Sequence, residues 1–98
     1  KALKDVFGTH AHDLLIGAHK SMIGHTIGGA GPIAFGITAN VLKTQKVPPT
    51  INYEHPDPDC DLNYVPNEMM SVTAIEAGIS NSFGFGGHYC VIVLTRSP

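Results

Sequence analysis

Between His25 and Lys43 the chain runs for 17 residues without one formal charge. Ile27, Ile33, Phe35, Ile37, Val41 and Leu42 put apolar side chains on every face of a helix drawn through this stretch. A helix without a polar side is either buried all round or spans a membrane. Four glycines and Pro32 interrupt it, and it is shorter than the roughly 20 residues a bilayer demands. Burial between layers is the expectation. Pro32 belongs in the first turn, where its missing N–H costs least; a helix beginning nearer His25 would be kinked by it.

The rest of the 98 residues fits the same picture. Charged residues make up 14% and hydrophobic ones 43%, a low charge for a small domain, which has much surface to cover. The chain opens at Lys1, without Met, in what reads as the end of a helix, Ala2–Phe7, stopped by Gly8. The expectation is a segment of a larger body, much of its surface covered by sequence outside it. A net charge of −2 gives no electrostatic case for nucleic acid or for an anionic membrane. No run reaches the length of a membrane span, and no signal or transit segment is visible. Cys60 and Cys90 lack CxxC or metal spacing, so a reducing compartment is the default.

Elements alternate as in an α/β unit. Leu14–His19 is a short apolar run, expected as a buried strand. Val47-Pro-Pro-Thr-Ile-Asn52 reads as an edge strand or linker, because its prolines cannot complete a ladder. Residues 54–68 read as an ordered surface loop. Ala77–Phe83 and Tyr89–Thr95 read as two strands of an antiparallel hairpin turning across Gly84–Gly87.

Two strings carry chemistry. Lys20-Ser-Met-Ile-Gly-His25 puts a Lys and a His five residues apart. At the mouth of a helix, the positive end of the dipole disfavours the imidazolium and leaves a neutral ring able to donate one N–H to a carbonyl oxygen. Asn81-Ser-Phe-Gly-Phe-Gly-Gly87 lets a ligand approach the backbone closely. Its N–H groups suit an oxyanion hole, and Phe85 suits an apolar gate. Taken alone, such a His is more often structural, and such a turn is more often a tight hairpin with Phe83 in the core. Neither string holds a nucleophile.

Other candidates fall away. Asp57, Asp59, Asp61 and Glu68 match calcium-loop positions, but Leu62 stands where glycine is needed, and Pro58 and Pro66 spoil the winding. His10 and His12 read as surface residues, as does His55 in the acidic loop. His19 ends the apolar run. Cys60 reads as exposed, and Cys90 as an inert small hydrophobe within a strand.

Four strings together resemble the β-ketoacyl-acyl carrier protein synthases: Lys20–His25, Val47–Asn52, Asp59-Cys-Asp-Leu-Asn-Tyr-Val-Pro-Asn67 and Asn81–His88. They are most similar to the elongating enzyme of type II fatty acid synthesis. Modular polyketide ketosynthases share the Lys-to-His string, but the second and third strings fit the fatty-acid enzymes better. The resemblance implies a thiolase-type α/β fold of layered sheets around buried central helices. Residues 1–98 would be the C-terminal segment of its second half, with the nucleophilic Cys and a first active-site His upstream.

It further implies a decarboxylative Claisen condensation of an acyl thioester with malonyl-acyl carrier protein, needing no cofactor. His25 matches the second active-site His, and Lys20 the motif Lys that sets the local electrostatics. The Phe85 N–H, flanked by Gly84 and Gly86, matches an oxyanion donor, and the Phe85 ring matches the gate. Partners would be acyl carrier protein, acyl and malonyl thioesters, the remainder of the synthase and a second copy in a homodimer. The compartment would be cytoplasmic, or alternatively mitochondrial or plastid.

Two departures stand out. Ala34 replaces the family's usual Glu, a partner of the motif Lys that helps bind a monovalent cation with backbone groups near Ser80 and Asn81. Tyr89 replaces the usual Asn. The departures keep open a second class, a non-catalytic subunit comparable to chain-length factors.

Overall fold

The computed structural model describes residues 1–97. Helix α1 (Ala2–Phe7) is closed by Gly8, whose φ of 57° suits a residue without a Cβ. A 3-10 turn over Gly8–Asp13 follows and buries Ala11. Helix α2 (Lys20–Ile23) is one turn long, and helix α3 (Ala30–Thr44) is the longest element. Strands β1 (Lys46–Val47) and β2 (Met70–Ser71) form a short antiparallel pair. Strands β3 (Ala77–Gly84) and β4 (His88–Thr95) form the hairpin, in a register from Ala77 opposite Thr95 to Gly84 opposite His88.

Pro32 occupies the third position of α3, within its first turn, and the 3-10 turn Ile27–Gly29 precedes the helix. The helix packs one side on β3. A Cβ added at Gly78 would lie 2.7 Å from Thr38 Cγ2, so glycine there lets helix and strand touch. A Cβ on Gly31 would meet Ser82 Oγ at 3.6 Å. The early helix therefore faces late β3 and the late helix faces early β3: the two run antiparallel. Leu42 is buried, while Ile33 and Phe35 on other sides remain 38% and 40% exposed. Burial all round is thus not what the described residues achieve: the β3–β4 hairpin covers one side of α3, and the two-residue strands β1 and β2 are too short to cover another.

The hairpin shows the same one-sidedness. Ser80 faces the helix layer and is buried, whereas Ile79, Phe83, Tyr89, Val91 and Val93 on the alternate face are exposed. Phe83 is accordingly outside the core and stacks edge-on against Tyr89, with ring centroids 5.5 Å apart. Cys90 is exposed rather than packed among apolar neighbours, and Cys60 is exposed as expected.

The expected strand over Leu14–His19 does not form. Leu15 makes a single parallel bridge to Asn63, with the Ile16 N–H donating to the Asn63 carbonyl at 2.9 Å. A strand needs a ladder, and no neighbouring segment here supplies more than that bridge. Residues 48–69 form an ordered loop around Val65, which is fully buried.

Candidate active site

The Lys-to-His string is fixed from both sides by the Pro-Pro-Thr-Ile-Asn segment. The Ala18 N–H donates to Thr50 Oγ1 at 3.2 Å, and the Ile51 N–H donates to Ser21 Oγ at 3.0 Å. Thr50 is in turn held by the loop: its N–H donates to the Val65 carbonyl and its carbonyl accepts from the Asn67 N–H. Thr50 and Ile51 therefore position Lys20 without touching it. Sequence reasoning gave neither a role, and the only signal was that the two strings occur together.

Lys20 opens α2 with an exposed side chain and makes no ion pair among the described residues. Gly24 ends that helix with φ 71°, its N–H returning to the Lys20 carbonyl at 2.9 Å. The chain then reaches His25, whose Nδ1 accepts the Ile27 N–H at 3.0 Å. A ring nitrogen that accepts carries no proton, so the proton of the neutral ring sits on Nε2, which is left as a donor. Ile27 adopts φ 52° to make this bond. That left-handed conformation is unfavourable for a β-branched residue, and such outliers collect beside functional groups. The α3 N-terminus is not adjacent to His25 as expected: Thr26 and a 3-10 turn intervene. The Ile27 amide, rather than the N-terminus of α3, is the group that contacts the ring.

Phe85 stands fully exposed at the hairpin tip. Gly86 and Gly87 follow with φ of 84° and 83°, which only glycine adopts without strain. Because α3 and β3 are antiparallel, the loop before α3 and the turn after β3 emerge at one end of the molecule. His25 and the Gly84-Phe85-Gly86 backbone are brought to that end together.

Ser80 and Asn81 line a cavity that also takes in Ala34, Thr38 and His19. No carboxylate stands at position 34, and no cluster of His, Cys, Asp or Glu suited to a metal occurs among the described residues. His19 is half-buried, with Nδ1 buried and unpartnered. Its burial lowers the ring's pKa. A Cβ at Gly17 would lie 2.5 Å from its Cε1, so the ring folds back over a residue that leaves it room. His10 and His12 are exposed, as expected of surface residues, and Lys4 bridges α1 to Asp61 of the acidic loop.

Residues 1–54 match the family model for the β-ketoacyl synthase C-terminal domain. The chain belongs to the β-ketoacyl synthases. It is 47% identical over 96 residues to the 3-oxoacyl-[acyl-carrier-protein] synthase 2 of Synechocystis, covering 98% of this chain and 23% of that protein. The synthases of the same name from Coxiella burnetii and Staphylococcus aureus are 45% identical over the same length, again covering 98% of this chain and 23% of theirs. The chain thus spans about a quarter of the curated relatives it matches.

Among solved structures, it superposes with a TM-score of 0.94 on a type II polyketide acyl-carrier protein complex with its ketosynthase bound to the hexaketide. That similarity is 40% in sequence and covers 99% of this chain and 24% of the other. The ishigamide ketosynthase/chain length factor gives a TM-score of 0.91 at 32% identity, covering 99% of this chain and 23% of its own. The fold is the C-terminal part of a ketosynthase, thiolase-like and mixed α/β. No helix among the described residues is long and apolar enough to cross a membrane.

Proposed function

We propose that this chain is the C-terminal segment of a β-ketoacyl-acyl carrier protein synthase of fatty acid synthesis. In this reading it supplies His25, Lys20 and the Gly84-Phe85-Gly86 loop to a site whose nucleophilic Cys lies in the remainder of the protein. The observation that carries the reading is the bond from the Ile27 N–H to His25 Nδ1. It leaves Nε2 as a donor of one proton, which is what a carbonyl oxygen gaining negative charge requires.

The steps follow from that donor. A malonyl thioester loses CO₂, and the electron pair left behind delocalises onto its thioester oxygen, where His25 Nε2–H donates. The resulting carbon nucleophile attacks the acyl thioester on the upstream Cys, forming the new C–C bond. The oxyanion of that intermediate accepts from the Phe85 N–H, and its collapse expels the Cys thiolate. Lys20 adds positive charge near the donor, and the Phe85 ring, carried by two glycine hinges, separates loading from condensation. No cofactor is needed for these steps.

Acyl carrier protein is the proposed partner, supported by the solved relative in complex with its acyl-carrier protein. A homodimer of the whole protein, in the cytoplasm, completes the reading. The test is condensation by the full-length parent with acyl- and malonyl-carrier protein. His25→Ala should lower turnover by about 10²–10³, the cost of removing one oxyanion donor. A wild-type parent that dimerises but neither acylates nor condenses would replace this reading with the non-catalytic, chain-length-factor type. Ala34 and Tyr89 are the departures that favour that second class.

A further inference from the structure

Gln45 makes more hydrogen bonds than its place at the end of a helix requires. It sits just past α3 in the left-handed region, with φ 58°, and its N–H closes the helix on the Val41 carbonyl at 2.7 Å. Its carbonyl accepts the Val72 N–H at 3.0 Å. Its side-chain amide then grips a second segment. Oε1 accepts the Ile75 N–H at 2.7 Å, and Nε2 donates to the Ile75 carbonyl at 3.0 Å and to the Leu42 carbonyl at 2.8 Å. The amide therefore imitates a strand partner for Ile75, two residues before β3 begins. The Arg96 N–H donates to the Glu76 carbonyl at 2.9 Å, so the same point is also the base of the hairpin.

We infer that Gln45 is a positioning residue for the ketosynthase site: it locks α3 to β3 at their shared base and so fixes where His25 stands relative to the Phe85 loop. This rests on the function proposed above. The lever is long. At about 1.5 Å per residue, the 15 residues of α3 carry the His25 loop roughly 22 Å from the lock. At about 3.3 Å per residue, the eight of β3 carry the Phe85 turn roughly 26 Å. Between these ends the helix comes close to the strand at two glycines, Gly31 and Gly78. Neither glycine offers a side chain of its own to key the helix axially. The bidentate amide at Gln45 supplies direction, because two opposed hydrogen bonds to one residue are lost together when either element slides. Gln45 touches neither substrate nor reacting atoms and acts only through α3.

The test uses the full-length parent carrying Gln45→Met, which keeps the length and removes the bonds, with Ala11→Gly, in the buried 3-10 turn after α1, as a control destabilised away from α3 and from the loop that holds the Lys20 string. Well below both melting temperatures and per folded site, Gln45→Met should lose about tenfold or more in condensation kcat, with KM for the malonyl carrier within about twofold, as misplacement at the reacting atoms predicts. Ala11→Gly should keep its kcat. Gln45→Glu gives a pH signature: its protonated carboxyl reproduces one donor and one acceptor, so its kcat should recover on acidification while wild type does not. Unchanged kcat per folded site in Gln45→Met would overturn the inference. If wild type itself proves inactive, the reading of the site has failed. The lock is then judged in the crystal structure of Gln45→Met, where α3 in an unshifted position against Ser82 would overturn it and displacement along β3 would support it.

Discussion

Residues 48–69 hold themselves in place with side-chain amides, whereas the β3–β4 hairpin relies on its backbone ladder and leaves one apolar face uncovered. In the loop, Asn67 exchanges two hydrogen bonds with the Tyr53 backbone, and Asn63 Oδ1 accepts the Val65 N–H at 2.9 Å. Asn52 and Asn67 take left-handed φ values of 60°, which suit asparagine. Its one deeply buried side chain, Val65, is enclosed by these turns. The hairpin is the reverse: Phe83, Tyr89 and Val93 are 68%, 74% and 62% exposed. A segment wired by its own amides keeps its shape wherever it is placed. A segment that presents a valine and aromatic face takes its final stability from whatever packs there. In this chain the first kind supports the Lys20 string and the second carries Phe85.

The contrast can be broken at several points. Val93→Asp is the harshest: if the remainder of the synthase covers that face, it buries an unpaired charge, costs several kcal/mol and removes soluble full-length protein. Normal yield and melting temperature would mean the face meets water. Val65→Ala should cost about 2–3 kcal/mol, with amide exchange rising across residues 48–69 while β3 and β4 stay protected. Exchange rising equally in the hairpin would abolish the distinction between the two regions.

Gly78→Ala sharpens the comparison from the other side. Its methyl would strike Thr38, whose Oγ1 is tied to the Ala34 carbonyl at 2.9 Å. Overpacking of that kind costs about 1–3 kcal/mol, and here hairpin and α3 amides should loosen while the loop does not.

The smallest effect is a pH slope. Burial holds His19 below its ordinary 6.5, so the unfolded chain takes up that proton first. Above pH 6.5 the ring is silent; below it stability falls, then levels once the folded form is protonated too. Denaturant titrations at several pH values should show this slope flattened in His19→Gln.

Much of this was legible in the sequence because it is local. Gly8 as a stop, Pro32 in a first turn and a hairpin turning through Gly84–Gly87 each follow from φ requirements carried by the residue itself. The run Leu14–His19 misled because apolarity marks burial, not pairing, and a strand is made by its neighbours. The uncharged helix has the composition of a helix between layers, and Ile33 and Phe35 stay partly exposed because the described residues bring only part of that surround. His25 and Phe85 were visible as motif residues. Their common end of the molecule depended on the antiparallel packing of α3 on β3, which pattern alone does not give. The Ile27 and Gln45 contacts were invisible, since one uses only a backbone amide and the other pairs residues 30 apart in sequence.

The donor that sets His25 is a peptide N–H, and that has a genetic consequence. Almost any residue at position 27 still brings an N–H, so an alanine scan would score the site as tolerant, and glycine or asparagine would even relieve the backbone. Proline alone among the encoded residues deletes the group, and its fixed φ near −65° would also break the loop, confounding the result. Selection at this codon can therefore drift in side chain while the chemistry beside it stays constant. Only an atom-level edit, replacing the Ile27 amide with an ester by semisynthesis, would show that position's weight.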